Sequence, residues 1–324
     1  MRAHAILAPL LAALLAVVGP VADAQAQTYP ARPIRLIVPF PPGGPVDVMA
    51  RFITERLSLN LGFIVVDNRP GAGGTIGSRI AATAEPDGYT LLFGSSTTLA
   101  SAPALYKNIG YSPLKSFTPV ALIASVPFAL VVAPKLPVKS VAELVAYAKQ
   151  HPGKLNYGAP TGALPHLTAE MFKALAAIDI VHVPYKGAAS AITDLLAGRV
   201  DLAFEPISVL LPHIHGGELR ALAVTGPSRS PELPSVPTMI ESGLAGFTSV
   251  SWSGIVAPAG TPPDVVAKIN AAVNAAIARP DTQAQLARMG AAPTTGTTAE
   301  FGMFMAAETL KWAAVVKAAA IKIE

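Results

Sequence analysis

No cysteine occurs anywhere in the 324-residue chain. That excludes disulfides, thiolate nucleophiles, cysteine metal sites and a lipid-modified N-terminal cysteine. Charge is scarce too: Asp, Glu, Lys and Arg make up 14% of the residues. The basic ones are scattered, so the formal net charge of +4 is a mild bias toward anions and not a nucleic-acid surface. Beyond the N-terminus, proline or a polar residue cuts every apolar run, including Val120 to Val132, which Ser125 and Pro127 divide. No such run can cross a bilayer as a helix. Catalytic signatures are missing as well: there is no Gly-x-Ser-x-Gly, no His-Glu-x-x-His and no P-loop. The fragment Gly71-x-Gly73-x-x-Ile76 has its third glycine displaced and Pro70 in front, which removes the dinucleotide reading. No cofactor is expected.

Apolar residues, by contrast, make up 52% of the chain. Part of that excess lies at the start. Met1-Arg2-Ala3-His4 is a weak basic lead, Ile6 to Val18 is nearly unbroken Ala, Leu and Val, and Ala24-Gln25-Ala26 has the small-x-small form of a cleavage site. Residues 1–26 therefore read as a secretory signal peptide, cut at or near Ala26. The mature protein is expected to be exported, freely diffusing and held together by core burial alone.

The remaining chain alternates strand, polar Gly/Pro loop and helix, the pattern of an α/β fold with a mostly parallel sheet. Ile34 to Val38 leads through Pro39-Phe40-Pro41-Pro42-Gly43-Gly44-Pro45 into an amphipathic run carrying Asp47. Phe63 to Val66 leads into Asn68-Arg69-Pro70-Gly71-Ala72-Gly73-Gly74-Thr75, and Tyr89 to Phe93 into Gly94-Ser95-Ser96-Thr97-Thr98. Three such loops at strand carboxyl ends point to one concave site, where small ligands bind in open α/β sheets. Val120–Ala124 and Phe128–Val132 read as two short strands parted by Pro127, a crossover into a second unit. There the organisation repeats through Gly158 to Gly162, Tyr185-Lys186-Gly187 and Glu205-Pro206, with a return strand carrying Trp252. The expected division is 27–125 with 253–324 as one lobe and 126–252 as the other.

The Gly43 and Gly44 amides at a helix start form a candidate anion seat, and Asp47 is placed to cap or brace it. Several residues have two readings. His166 either touches ligand or caps a helix, and Glu205 either meets a ligand donor or caps a helix. Arg69 grips a ligand carboxylate, pairs within its lobe or is simply exposed. Lys186 guards the cleft mouth or is an ordinary surface lysine. Trp252 walls the cleft or fills the core. His182 reads as a hydrogen-bonded core or edge histidine. His213-x-His215 on an extended segment reads as a solvated loop pair, lacking a third ligand for metal.

Phe40-Pro41-Pro42-Gly43-Gly44-Pro45-x-Asp47, Asn68 to Gly74, Pro86-Asp87-Gly88-Tyr89-Thr90, Val183 to Gly187 and Leu219 to Thr225 occur here in one order. Together they resemble the Bug family, extracytoplasmic solute receptors associated with tripartite tricarboxylate transporters, from about Tyr29 to the C-terminus. The resemblance implies a periplasmic-binding-protein fold of two α/β lobes joined by crossover strands, closing on a small organic anion. It implies that Phe40, Gly43, Gly44 and Asp47 of one lobe and Gly158, Thr161 and Gly162 of the other hold a carboxylate through backbone groups and water. Thr75 and Ser95 to Thr98, Thr97 included, then line the first lobe; Tyr185, Lys186 and Glu205 line the second. The chain departs from the family pattern at Val46, at Pro165 before His166 and at Glu205-Pro206, which bears on ligand identity.

The expectation is a periplasmic, monomeric solute-binding protein without catalytic activity or bound metal. It delivers a small organic carboxylate or dicarboxylate to a membrane permease, a large multispanning subunit with a small one. An ionised Glu205 facing the cavity would repel a second carboxylate. Two alternatives stay open: a sensory or structural partner that has lost ligand binding, and a cleft hydrolase or lyase using His166 and Glu205.

Overall fold

Alternation of apolar strands with amphipathic helices is what the chain adopts. The computed structural model describes residues 29–321; the expected signal peptide and its cleavage site lie outside the described residues. The first half contains β1 (Ile34–Val38), α1 (Pro45–Leu61), β2 (Ile64–Asn68), α2 (Thr75–Ala82), β3 (Thr90–Ser95), a π-turn at Thr97–Ser101 and α3 (Ala102–Leu105). After β4 (Phe117–Val132) come α4 (Val141–Gln150), β5 (Asn156–Pro160), α5 (Leu164–Ala176), β6 (Val181–Tyr185), α6 (Ala188–Leu196), β7 (Leu202–Pro206), α7 (Ile207–His215) and β8 (Arg220–Val224). The chain returns through β9 (Val250–Pro258), α8 (Pro263–Ile277), α9 (Pro280–Arg288), β10 (Ala292–Pro293) and α10 (Thr298–Ala318).

The strand order is β2-β1-β3-β9-β4-β7-β5-β6, with β8 and β10 also on β4. β1, β2 and β3 run parallel, as do β5, β6 and β7, while β4 and β9 are antiparallel to their neighbours. β4 is thus the hinge of the architecture. Its first part, Phe117 to Pro127, pairs with β9, and its second, Phe128 to Val132, pairs with β7 and β8. The two short strands expected around Pro127 are one continuous strand. Pro119 sits at a ladder irregularity, and Pro127 where pairing passes from β9 to β7 and β8. At such places a missing N–H disrupts least.

The second-half sheet is covered on both faces. Leu144, Tyr157, Phe172, Phe204 and Phe247 pack on the α4/α5 side, and Ala129, Ala203, Ile192, Leu195, Ile207 and Leu210 on the α6/α7 side. Ile37, Leu92, Leu99, Trp252, Phe301, Met305 and Trp312 form the other core, which also takes in Phe128, Leu164 and Leu167. Trp252 is therefore a core residue, 1% exposed. α4 begins at Ser140, whose hydroxyl accepts the Glu143 N–H at 3.1 Å. α7 was not legible in the sequence: Pro212 lies inside it, and His213 and His215 fall on its last turn rather than on an extended segment. His213 Nδ1 lies 2.6 Å from Glu218, and no group of three potential ligands for a metal occurs among the described residues. Nor is any described helix long and apolar enough to cross a membrane.

Candidate functional site

Parallel strands deliver their following loops to one edge of a sheet, and here the register brings two such edges to the same stretch of β4. Ser95, ending β3, pairs with Ser253, which pairs with Ala124; Pro206, ending β7, pairs with Phe128. Ala124 and Phe128 are four residues apart, roughly 13 Å along a strand. The strand-end loops of both lobes therefore flank the crossover.

Three loops converge in the first lobe. Asn68 at the end of β2 donates through Nδ2 to the Phe40 carbonyl at 3.1 Å and to Asp47 Oδ1 at 2.7 Å. A methyl group on Gly74 would stand 2.6 Å from Thr98 Cγ2 and 3.2 Å from Phe40 Cζ, so its hydrogen side chain lets the loops after β1, β2 and β3 touch. Asp47, only 2% exposed, accepts from the Gly43 N–H at 2.8 Å and from Arg51 Nε at 2.9 Å. Burial by itself raises its pKa. The hydrogen bonds from Arg51, Gly43 and Asn68, with the Arg51 charge, outweigh that and hold it below the usual carboxylate value.

The amides expected to seat an anion are thus not the free ones. Gly43 N–H is donated to Asp47, and Gly44 N–H to the Pro41 carbonyl at 3.4 Å. The first bond closing α1 runs from Val48 N–H to Gly44 C=O, 2.9 Å. The N–H groups of Val46 and Asp47 therefore leave the helix end without an intrahelical acceptor. The free amides are those of Val46 and Asp47, and Gly43 and Gly44 shape the turn that leads into them.

The second lobe repeats this device with a different side chain. Gly162 N–H donates to His166 Nδ1 at 3.0 Å, as Gly43 N–H donates to Asp47, each across four residues. Both glycines hold a left-handed backbone, φ 79° at Gly43 and 75° at Gly162, and each lies two residues before its helix begins. Leu167 N–H closes α5 on Ala163 C=O at 3.1 Å, leaving the amides of Leu164 and His166 free, while Pro165 has none. Two helix N-termini with outward amides thus begin at matching positions of the two lobes. Each carries a positive partial charge suited to an anion.

His166 is 6% exposed and stacks on His182, ring centroids 3.9 Å apart. Since Nδ1 accepts from Gly162, the hydrogen sits on Nε2, which has no protein partner among the described residues. Burial first, then the neighbouring His182, lowers its pKa to about 4. His182 Nε2 donates to the Ala159 carbonyl at 2.9 Å, a structural role.

The remaining candidates divide. Thr161 and Lys186 are exposed at the loop edge, and Thr97 is half-buried there. Thr75 donates to the Ala72 carbonyl at 2.8 Å and closes its own turn. Ser95 is knotted to Thr98, whose hydroxyl accepts the Ser95 N–H at 3.0 Å. Tyr185 is turned away: its hydroxyl donates to Asp194 at 2.7 Å, and its ring covers Gly158, where a methyl group would stand 2.9 Å from the ring. Gly158 therefore serves packing inside β5 and does not supply a free amide. Arg69 pairs within its lobe, with Nε 2.9 Å from Asp67 Oδ1.

Glu205 is 1% exposed, and its Oε1 is shut off from solvent with no hydrogen-bond partner. Burial alone pushes its pKa up to about 8. Burial without a charged partner favours the protonated form of Glu205, the opposite of the ionised state in which it would repel a second carboxylate. Asn68 and Arg51 were overlooked as loop braces; the signal was Asn68 standing at the end of the strand beside β1. The surface hollows near Tyr106–Leu114, near Lys139–Ala142 and beside Pro263 are lined by none of these loop residues.

Residues 49–321 match the model of the tripartite tricarboxylate transporter family receptor. The chain belongs to that family. This receptor is 40% identical to protein BugT of Bordetella pertussis over 313 residues, 96% of each chain. Among solved structures, it is 39% identical to Rpa4515 of R. palustris, solved with adipate, at a TM-score of 0.75, covering 91% of this receptor and all of that chain. MatC of Rhodopseudomonas palustris, solved with malate, is 34% identical at a TM-score of 0.72, with 89% and 100% covered. The receptor shares the two-lobe α/β fold of these periplasmic binding proteins, and it is a solute receptor by family.

Proposed function

We propose that this receptor captures a small organic carboxylate between its two lobes, outside the cytoplasm, and presents it to the membrane subunits of a tripartite transporter. The carrying observation is the matched pair of loops, Gly43 to Asp47 and Gly162 to His166, each with a helix N-terminus whose amides lack acceptors. Such amides hold an anion without a buried counter-charge, whose desolvation would cost several kcal/mol. Phe40, Gly43, Gly44 and Asp47 shape the first seat, with Thr97 and Ser95 beside it. Thr161, Gly162 and His166 shape the second, where His166 Nε2–H adds a side-chain donor. Lys186 stands at the mouth.

The lobes are 27–125 with 253–324, and 126–252, in keeping with β4 changing partners after Pro127. The receptor works as a monomer in the periplasm. A hydrolytic role for His166 is disfavoured because Nδ1 accepts from Gly162, leaving no basic nitrogen to take a proton. Adipate and malate bound to relatives support the ligand class.

Thermal-shift screening followed by calorimetry tests this. Mono- and dicarboxylates, aromatic acids and amino acids are compared with neutral sugars and amines. Carboxylates alone should raise the melting temperature and give saturable heats. Binding confined to a sugar or an amine would overturn the assignment.

A further inference from the structure

Glu205 is the one buried carboxyl among the described residues with a shut-off oxygen and no donor. Phe204, the residue before it, packs among Phe172 and Phe247, ring centroids 5.8 and 6.2 Å away. Successive strand residues face opposite sides, so Glu205 projects from the other face. It stands there beside Ala129, its cross-strand partner, and Ala203, both small. It is one residue from the end of β7, where Pro206 pairs with Phe128 at the crossover between the lobes. A polar group so placed is costly unless something pairs with it. Among the described residues nothing pairs with its Oε1, and β4 carries no charged residue from Phe117 to Val132. On α6, Asp194 is held by Tyr185 and Arg199; on α7, His213 and His215 lie at the far end; Lys186 is exposed.

We infer that Glu205 completes the site as a protonated acid, donating its O–H to a second carboxylate of the ligand and so selecting dicarboxylates over monocarboxylates. This rests on the reading of the receptor as a carboxylate binder. One ligand carboxylate occupies the helix ends; the other shares the Glu205 proton, forming the short O–H···O⁻ bond of a charge-assisted pair. The burial that pushes the Glu205 pKa up to about 8 is what keeps the donor loaded at neutral pH. An ammonium-bearing ligand would instead require Glu205 to ionise in place.

Calorimetry on the full receptor tests this with linear dicarboxylates, adipate and malate among them, each against the monoacid of equal length. The wild type should prefer the diacid at neutral pH. E205L should lower diacid affinity by about tenfold or more while leaving the monoacid within about twofold. E205Q, still a donor, should stay close to wild type. Wild-type diacid affinity should fall as pH rises past about 8, by up to tenfold per unit, and E205Q should lose that fall. An unchanged diacid-to-monoacid ratio in E205L, or an equal pH dependence in E205Q, overturns the inference and leaves carboxylate capture standing. Absence of binding by every acid overturns both.

Discussion

The imidazole of His166 lies flat on that of His182, ring centroids 3.9 Å apart and planes 11° apart. Opposite hydrogen bonds fix the two rings. Gly162 N–H points into His166 Nδ1, and His182 Nε2 points out to the Ala159 carbonyl. One ring thereby braces the Gly162 loop while the other ties β6 to β5 beneath it. A proton arriving on His166 must land on Nδ1, where it would break the Gly162 bond.

That arrangement sets a pH dependence. The folded His166 pKa is lowered to about 4, so its contribution to stability is present above the unfolded value of about 6.5. It is lost as pH falls through the folded value. Between those limits the unfolded chain takes up a proton that the folded chain refuses, at a cost on the order of 3 kcal/mol. Urea unfolding at a series of pH values should show the midpoint dropping on acidification. His166→Asn, which keeps an acceptor for Gly162, should flatten the drop; equal slopes for both proteins would refute it.

Asp47 carries the matching load in the first lobe. Asp47→Ala leaves the Gly43 N–H and the Asn68 amide without their acceptor, costing about 1–3 kcal/mol, with Arg51 freed as well. The loop that positions the Val46 and Asp47 amides then loosens, so carboxylate affinity should weaken together with stability. If chemical unfolding and calorimetry both return wild-type values, the loop is held by its prolines alone.

Glu205 predicts the reverse pH trend to His166. Its folded pKa, about 8, lies above the unfolded value of 4.5, so the associated stability is present below about pH 4.5 and is lost as pH rises through 8. Glu205→Gln removes a group that must ionise or stay protonated against its preference. The variant should match wild type near pH 4 and exceed it by a few kcal/mol at pH 8. A constant difference across that range, read from unfolding curves, would mean that Glu205 meets water in the folded state.

Most strands and their loops were legible because Val, Ile and Leu runs stop abruptly at Gly and Pro, as at Val38-Pro39 and Leu92 to Ser95. What misled was proline in unusual company. Pro127 looked like a break between strands, yet the ladder passes from one partner to another there. Pro212 and two histidines hid α7, whose first turn is free to follow Pro206 directly. The loop amides were misassigned for another reason: composition shows that Gly43 and Gly162 can bend the chain, but not that a side chain four residues on will turn back to take their N–H. The Glu205 environment depends on Phe128, Ala129 and Ala203, brought together by pairing between residues about 75 apart, which no local pattern reveals.

Glu308 of α10 governs the return strand. Its Oε2 accepts both indole N–H groups, from Trp252 at 3.2 Å and Trp312 at 3.1 Å, and its Oε1 takes Lys311, which also donates to the Thr248 carbonyl at 3.0 Å. Trp252 lies on β9 just past Val250, which pairs with Pro127, so α10 grips the chain where it passes between lobes. The chain has only these two tryptophans, which makes the grip visible by fluorescence. Glu308→Ala leaves two buried indole donors without their acceptor and the half-buried Lys311 ammonium without its counter-charge, and should destabilise by about 3–5 kcal/mol. The tryptophan emission should shift as water reaches the indoles. Glu308→Gln retains one acceptor oxygen and should fall between. Lys311→Met, which removes only the cation, should leave the emission near wild type while lowering the midpoint. Emission and midpoint both unmoved in Glu308→Ala would show that the core, and not this carboxylate, fixes the return strand.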